Sequence, residues 1–346
     1  MTIVTKNPHT WFTAVNKSGK KQVIYNDEHY LHNYLIGFEL PFSDSSTPSE
    51  QTVTLHNMSK EHRAFYEKGQ HCIVGFDWGE NQKIIGEGYI KKISHQETDG
   101  VTESFTITFT EGTSYQNVSA RKLKYKKTKK VNHYKTVKKT VPGHYETKRV
   151  HYYAIEDGKK VGHYRKEQVY VKAKTTNKRI KTRATKTSFV NKTYKKGTSY
   201  KKIIQGIVSQ SGIKISKIQL AKNPKMKKAF TARGKPLTLL NKLVKPTGSV
   251  LEYIDGNLEI VNPKATKRTW IVIDDKDMIV PPSYDEDTDD DKSGGYEITI
   301  PLDPEVHLNS GLEIKSKYLK GKFYVKAGKH SSDGSDPRTI VTAKPL

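Results

Sequence analysis

Apolar residues alternate with polar ones near both ends of this chain and thin out in its middle. WFTAV and QVIYN, either side of NKSGKK, predict two strands joined by a Ser-Gly turn. LIGFELPF is a further short strand, in which Pro41 limits how central it can be. TVTLHNMS places Val53 and Leu55 on one side and Thr52, Thr54 and His56 on the other. SKEHRAFYEKG predicts one short helix, with Ser59 as N-cap and Gly69 as its stop. HCIVGFDW, the bend-tolerant glycine-rich KIIGEGYIKKISHQ and the alternating ESFTITFTEG follow as strands. They are separated by turns at Gly79-Glu80-Asn81 and Asp99-Gly100. Residues 1–118 therefore predict a β-rich domain with one helix.

Residues 119–190 hold few aliphatic side chains and many Lys, Tyr, Val and Thr. His-Tyr recurs at 133–134, 144–145, 151–152 and 163–164, and GHYETKRVHY from Gly143 aligns with GHYRKEQVYV from Gly162. Between these copies lies Glu156-Asp157-Gly158-Lys159, whose Asp-Gly centre is a hairpin signal. The β-branched and aromatic content favours a β-hairpin ribbon over disorder, with KTTNKRIKTRATK as a flexible return from it.

The pattern changes again after residue 190. TSYKKIIQGIVSQSG sets Tyr200, Ile203, Ile204, Ile207 and Val208 at helical spacing, between a Thr198 or Ser199 cap and Gly212. KISKIQL predicts a strand, KPLTLLNKLVKPTG a second helix with Pro236 in its first turn, and SVLEYIDGNLEIVNP a hairpin about Asp255-Gly256. These make residues 191–273 a small α+β module. Residues 274–297, rich in Asp and Pro, predict an acidic loop or linker. Residues 298–346 return to short alternating strands, too few to close a barrel without partners from elsewhere.

Charge changes the picture. The chain carries a formal +25, yet residues 121–202 hold 28 Lys and Arg against 4 Asp and Glu. The remainder is close to neutral, so the excess lies in that one segment. A mean hydropathy of -0.75 points toward disorder until that segment is set apart. The lone Cys72 excludes an intrachain disulfide and, in HCIVGF, reads as a buried hydrophobe. MTIVTKNPHTWF lacks the apolar stretch of a signal peptide, and no apolar run predicts a membrane span.

Sites for chemistry are few. The Asp run 285–291 lacks the Gly and Glu spacing of an EF-hand, and His29 and His32 lack the companions of a zinc site. No nucleophile elbow, phosphate-binding loop or dinucleotide fingerprint occurs, so the expectation is a protein without catalysis, metal or cofactor. The positive signal is the ribbon. Lys126, Lys127, Lys129, Lys130, His133, Lys138, Lys139, His144, Lys148, Arg149, His163, Arg165 and Lys166 form a candidate polyanion-binding set. Basic side chains interleaved with Tyr and His follow phosphates and stack on bases. The same chemistry takes a cell-wall polymer or an acidic protein surface, and a solvated arm without a specific ligand carries such charge too.

HNYLIGFELPFSDSSTPSEQTVTLHNMSKEHRAFYEKGQHCIVGFDWGENQKIIGEGYIKKIS resembles the first domain of baseplate hub proteins from long-tailed phages and related defective prophages. VNKTYKKGTSYKKIIQGIVSQSGIKI, KPLTLLNKLVKPTGSVLEYIDGNLEIVNP and NSGLEIKSKYLKGKFYVKAGKHSSDG resemble later pieces of the same family in the same order. The likeness covers most of 30–120 and 188–346, and stops at about 126–187. The resemblance implies a mainly β fold of two tail-tube-like β-barrels with smaller α+β modules, into which the basic β-ribbon is inserted. It also implies a homotrimeric ring in the virion tail baseplate, made in the host cytoplasm. Its implied neighbours are a tail tube or distal tail protein, a tape-measure protein and a tail tip or spike protein. The ribbon's role does not carry over from the family, and DNA and a cell-wall polyanion both stay open as its ligand.

Overall fold

The computed structural model describes residues 5–26, 34–254, 256–265, 267–286 and 294–346. The chain divides into two compact units, one of residues 1–123 with 191–346 and one of residues 124–190. The smaller unit lies within the basic segment.

In the larger unit the first block contains β1 (His9–Val15), β2 (Lys21–Asn26), β3 (Ile36–Ser43), β4 (Glu50–His56), β5 (His71–Asp77), β6 (Lys83–Ile93), β7 (Glu97–Thr98) and β8 (Glu103–Thr110). The helix α1 spans only Lys60–Ala64, with the Ser59 hydroxyl accepting from the His62 N–H at 3.2 Å. It ends well before Gly69, because the next residues turn inward. Tyr66 is buried, its ring 5.8 Å from those of both Phe12 and Phe105. The alternation read from the sequence is realised here: β8 buries Phe105, Ile107 and Phe109, and β4 buries Gln51, Val53 and Leu55.

The smaller unit holds β9 (Lys124–Val141), β10 (His144–Glu156), β11 (Lys159–Val171) and β12 (Lys174–Asn191). Back in the larger unit come β13 (Thr193–Tyr194), α2 (Tyr200–Ser211), β14 (Lys217–Ile218), β15 (Phe230–Thr231), α3 (Pro236–Val244), β16 (Val250–Ile254) and β17 (Asn257–Val261). Ser199 caps α2 and Gly212 ends it in the left-handed region. Only two residues of KISKIQL extend as a strand, pairing β17 in parallel. The facing sides of α2 and α3 bury Ile203, Ile204, Ile207, Leu240 and Leu243 over β16 and β17. Asp255 of the expected hairpin turn lies outside the described residues.

The last block is β18 (Trp270–Ile273), β19 (Val280–Asp285), β20 (Gly295–Pro301), β21 (Gly311–Lys315), β22 (Lys320–Ser332) and β23 (Arg338–Pro345). The 274–297 segment is therefore not all linker. β19 pairs with β20 as a hairpin, and residues 287–293 of the acidic run lie outside the described residues. β19 stands at the end of the strand path and shifts register between Val280 and Ser283, where Pro281 and Pro282 fall. An edge strand at a bulge tolerates prolines that a central strand does not.

The last block, expected to draw on strands from elsewhere in the chain, does so. Among the described residues fourteen strands form one sheet, in the order β19-β20-β23-β22-β3-β4-β8-β6-β5-β1-β2, with β18, β21 and β7 alongside. The joint is β3 on β22, from Ser43 opposite Ala327 to Phe38 opposite Ser332. Pro41 sits in this joint without breaking the sheet. The β3–β4 ladder covers only Ile36–Glu39, so beyond Glu39 the strand has one neighbour to satisfy. Trp78 adds a bond between the blocks, donating its indole N–H to the Leu302 carbonyl at 2.8 Å. Each block keeps its own apolar core, one around Phe12, Phe76 and Phe109 and the other around Ile298, Leu312 and Val325. Cys72 is fully buried and burial pushes its thiol up to about 12, as expected of a small core residue. No helix among the described residues is long and apolar enough to cross a membrane.

Candidate polyanion-binding ribbon

The ribbon is a β-hairpin, and the stretch expected as a flexible return is part of its strand β12, which β9 pairs with. β10 pairs with β11 from His144 opposite Val171 to Glu156 opposite Lys159, and β9 pairs with β12. At the turn Asp157 and Gly158 both adopt positive φ, of 51° and 73°. This is the backbone that a two-residue hairpin loop requires, and Gly takes it without cost. Cross-strand side-chain bonds join Thr140 to Thr175 and run from Thr182 to the His133 carbonyl and from Ser188 to the Lys127 carbonyl. Each step back along one strand matches an equal step forward along the other, in register with the β10–β11 ladder. The break at 142–143 and 172–173 thus interrupts both arms equally and introduces no slip. Each arm runs 33 residues, Lys124–Glu156 and Lys159–Asn191, a contour of about 110 Å at the usual rise per strand residue.

None of residues 124–190 is buried. An isolated two-stranded sheet is marginal in water, so side-chain pairs across the ladder have to hold it. Aromatic and cationic groups supply them. The ring centroids of Tyr145 and Tyr170 lie 5.0 Å apart, and those of His151 and Tyr164 4.7 Å apart. Arg149 stacks 4.6 Å above Tyr164, Lys160 stands 4.8 Å from Tyr153, and Arg179 stands 5.3 Å from Tyr134. Gly162 makes room for this packing: a Cβ there would stand 2.6 Å from the His151 ring nitrogen.

Successive residues of a strand face opposite ways, and directly paired residues share a face. By that rule the β10–β11 segment has two unlike sides. On one stand His144, Glu146, Lys148, Tyr152 and Glu156 with Lys159, His163, Arg165 and Glu167. All three glutamates of the segment are here, and they meet its cations. Glu146 bonds His144 at 3.1 Å and lies 3.9 Å from Lys148, Glu156 lies 2.9 Å from His163, and Glu167 pairs with Arg165. The Glu146 bond, with the Pro142 carbonyl, raises the His144 pKa. The other side carries Tyr145, Arg149, His151, Tyr153, Lys160, Tyr164, Lys166 and Tyr170, and no carboxylate. Arg149 lies directly opposite Lys166 on it.

The residues singled out from the sequence are thereby sorted. Lys126, Lys130 and Lys138 share one face of β9, and Lys127, Lys129, His133 and Lys139 share the other. Across β9 and β12 there are 14 Lys and Arg and no Asp or Glu, so both faces of this part are purely basic. His144, Lys148, His163 and Arg165 stand among glutamates, while Arg149 and Lys166 do not. The candidate set left out the second arm's Lys178, Arg179, Lys181, Arg183 and Lys186, and the tyrosines were read as stacking groups without being placed on the face of Arg149. Parity about the Asp157-Gly158 turn was the signal that finds both. Elsewhere, no group of three or more His, Cys, Asp and Glu among the described residues is placed to hold a metal. His29 and His32 lie outside the described residues.

No protein-family model matches the sequence, and no curated protein matches it. Solved structures do. The chain is similar to the 43 kDa tail protein of prophage MuSo2 from Shewanella oneidensis, with 10% identity, coverage of 98% of both chains and a TM-score of 0.52. It is similar to the tail protein from Neisseria meningitidis MC58, with 8% identity, 98% of this chain and 96% of that chain covered, and a TM-score of 0.52. At these identities the likeness is one of fold. The mainly β chain has the fold of these two tail proteins along nearly its whole length.

Proposed function

We propose that this protein is a non-enzymatic structural subunit of a phage tail, at the baseplate hub where the tail tube meets the tail tip. The observation that carries the reading is the end-to-end correspondence with two tail proteins, each covered to 96% or more. The sheet supports the finer assignment. Each chain offers two strand blocks with separate cores joined through β3 and β22, so a homotrimer offers six lobes to a sixfold tube. In this reading the partners are a tail tube or distal tail protein, a tape-measure protein and a tail tip or spike protein. The test is the solution mass by light scattering at high salt. A mass three times 39.4 kDa is the expected outcome. A monomer that stays monomeric when mixed with its tail-tube partner overturns the hub assignment.

The insert supports a second reading that is compatible with the first: a polyanion-binding arm. Its motivating observation is the acid-free β9–β12 segment, where 14 basic side chains stand in solvent without a carboxylate. Counterion release then makes binding steeply salt-dependent. Deleting 126–187 is expected to abolish retention on a polyphosphate column while leaving the oligomer intact; undiminished retention sinks this reading.

A further inference from the structure

The two sides of the β10–β11 hairpin differ in a way that overall charge does not require. One side is neutralised by its own glutamates. On the other, the register sets Arg149 directly opposite Lys166 with no acid on that face. Like charges directly opposite on a sheet repel. Arg149 stacks on Tyr164 and so braces the ladder, but no acid on this face offsets Lys166 opposite it, whereas an anion lying between the two cations does. Around that pair the side chains are flat rings, and they are open to solvent: Tyr145, Tyr153 and Tyr164 are 67%, 61% and 58% exposed. The β9–β12 segment already offers dense positive charge for any phosphate polymer, and its side chains are mostly Lys, Thr and Val. That segment has scattered exposed rings at Tyr125, Tyr134 and Phe189; what the hairpin end adds is several rings gathered on one acid-free face.

We infer that this acid-free face binds single-stranded nucleic acid, with phosphates between Arg149 and Lys166 and bases stacked on Tyr145, Tyr153 and Tyr164. A flexible phosphate chain whose bases are unpaired has both components that the face offers. A duplex hides its ring faces, and a polyphosphate has none. Base stacking on aromatic side chains tolerates any sequence, so the inferred binding is not sequence-specific. The inference rests on the polyanion-binding reading of the insert, and the test separates the two.

The full-length protein is titrated at about 0.15 M salt, with anisotropy as the readout. The probes are a labelled oligothymidylate, an abasic deoxyribose-phosphate oligomer of equal length, a DNA duplex and inorganic polyphosphate. The oligothymidylate is expected to bind roughly tenfold or more tightly than the abasic oligomer. Replacing Tyr153 and Tyr164 by Ser removes that preference and leaves the abasic affinity in place, while Tyr→Phe at both keeps it. Arg149→Gln with Lys166→Gln lowers the salt slope by about 1.4. Lys148→Gln with Arg165→Gln, on the glutamate side, leaves the preference for bases unchanged. Tyr153→Trp provides a readout that does not depend on losing an interaction: its added emission is quenched by oligothymidylate and not by the abasic oligomer. Equal affinity for thymidylate, abasic oligomer and polyphosphate, untouched by the tyrosine changes, overturns the stacking face and leaves the polyanion arm standing. Tighter binding of the duplex overturns the single-strand assignment. No binding of any probe overturns both.

Discussion

The large sheet and the ribbon are built from the same element and held by opposite means. In the sheet, β8 lies between β4 and β6 and buries three large side chains. Removing such area from water contributes on the order of 2 kcal/mol per side chain. In the ribbon no residue of 124–190 is buried, and the ladder is braced by rings and cations at its surface. The lesson is that a hydrogen-bonded ladder sets geometry, while burial sets how much energy a substitution removes. The two regions should therefore respond to mutation on different scales and by different probes.

The sharpest break of the comparison is Phe109→Ala. Phe109 is fully buried between two neighbouring strands, so the cavity should cost about 3–5 kcal/mol and lower the main thermal transition. Tyr145→Ala, in the ribbon, should leave that transition where it is. If both move it equally, the ribbon shares the sheet's core and the contrast fails.

Next in size is Glu252 on β16, which is buried and accepts from the Asn309 side chain at 2.5 Å. Burial pushes its carboxyl up from 4.5 to about 7, against the opposing pull of that hydrogen bond. The folded protein then keeps a proton that the unfolded chain releases between those values. Stability from this group is greatest below that window, falls as pH rises through it and stays low above about 7. Glu252→Gln should remove the fall, raising stability at neutral pH by on the order of 3 kcal/mol. Urea unfolding at about pH 5 and pH 8 checks it, and parallel pH dependence in both proteins would refute it.

A smaller effect is expected at the ribbon's turn. Gly158→Ala forces a side chain into a positive φ of 73° and should cost about 1 kcal/mol. Hydrogen exchange should speed up along β10 and β11 and stay unchanged in β4 and β8. The smallest effect is electrostatic. Glu146→Gln removes the partner that raises the His144 pKa, so an NMR titration should show that pKa fall. The stability attached to this exposed pair is present at low pH and lost as pH rises through the His144 pKa. An unmoved His144 titration would show that the glutamates do not neutralise their side of the ribbon.

Local signals in the chain were legible where backbone chemistry is local. Ser199 and Gly212 bracket α2, Asp157-Gly158 marks the hairpin turn, and alternation picks out the buried side of β8. The joint between β3 and β22 was not legible, because residues nearly 290 apart in sequence pair there and nothing local specifies a partner. That the last strands need partners from elsewhere was legible from their number, but that the partner is β3 was not. KISKIQL reads as a strand yet pairs over two residues, since Ile213, buried just before it, and the turn into β14 are set by packing on α2 and α3. At the candidate site, composition revealed the basic character and concealed the sorting of acids to one side. Glu146, Glu156 and Glu167 look scattered until the turn is placed; folding about it brings all three to the same face.

The unslipped register also bears on how such an arm changes in length. The chain leaves the larger unit at buried Leu123 and re-enters its core at Tyr194, so the arm is grafted through a single two-stranded root. Adding or removing one residue in one arm alone would flip every side chain of that arm beyond that point to the other face. Matched changes of two residues in each arm preserve both faces and leave the root untouched. With both faces kept continuous, the arm therefore lengthens or shortens in quanta of four residues, about 7 Å of reach at a time. A lineage of such proteins would vary in reach by discrete steps while its body stayed constant.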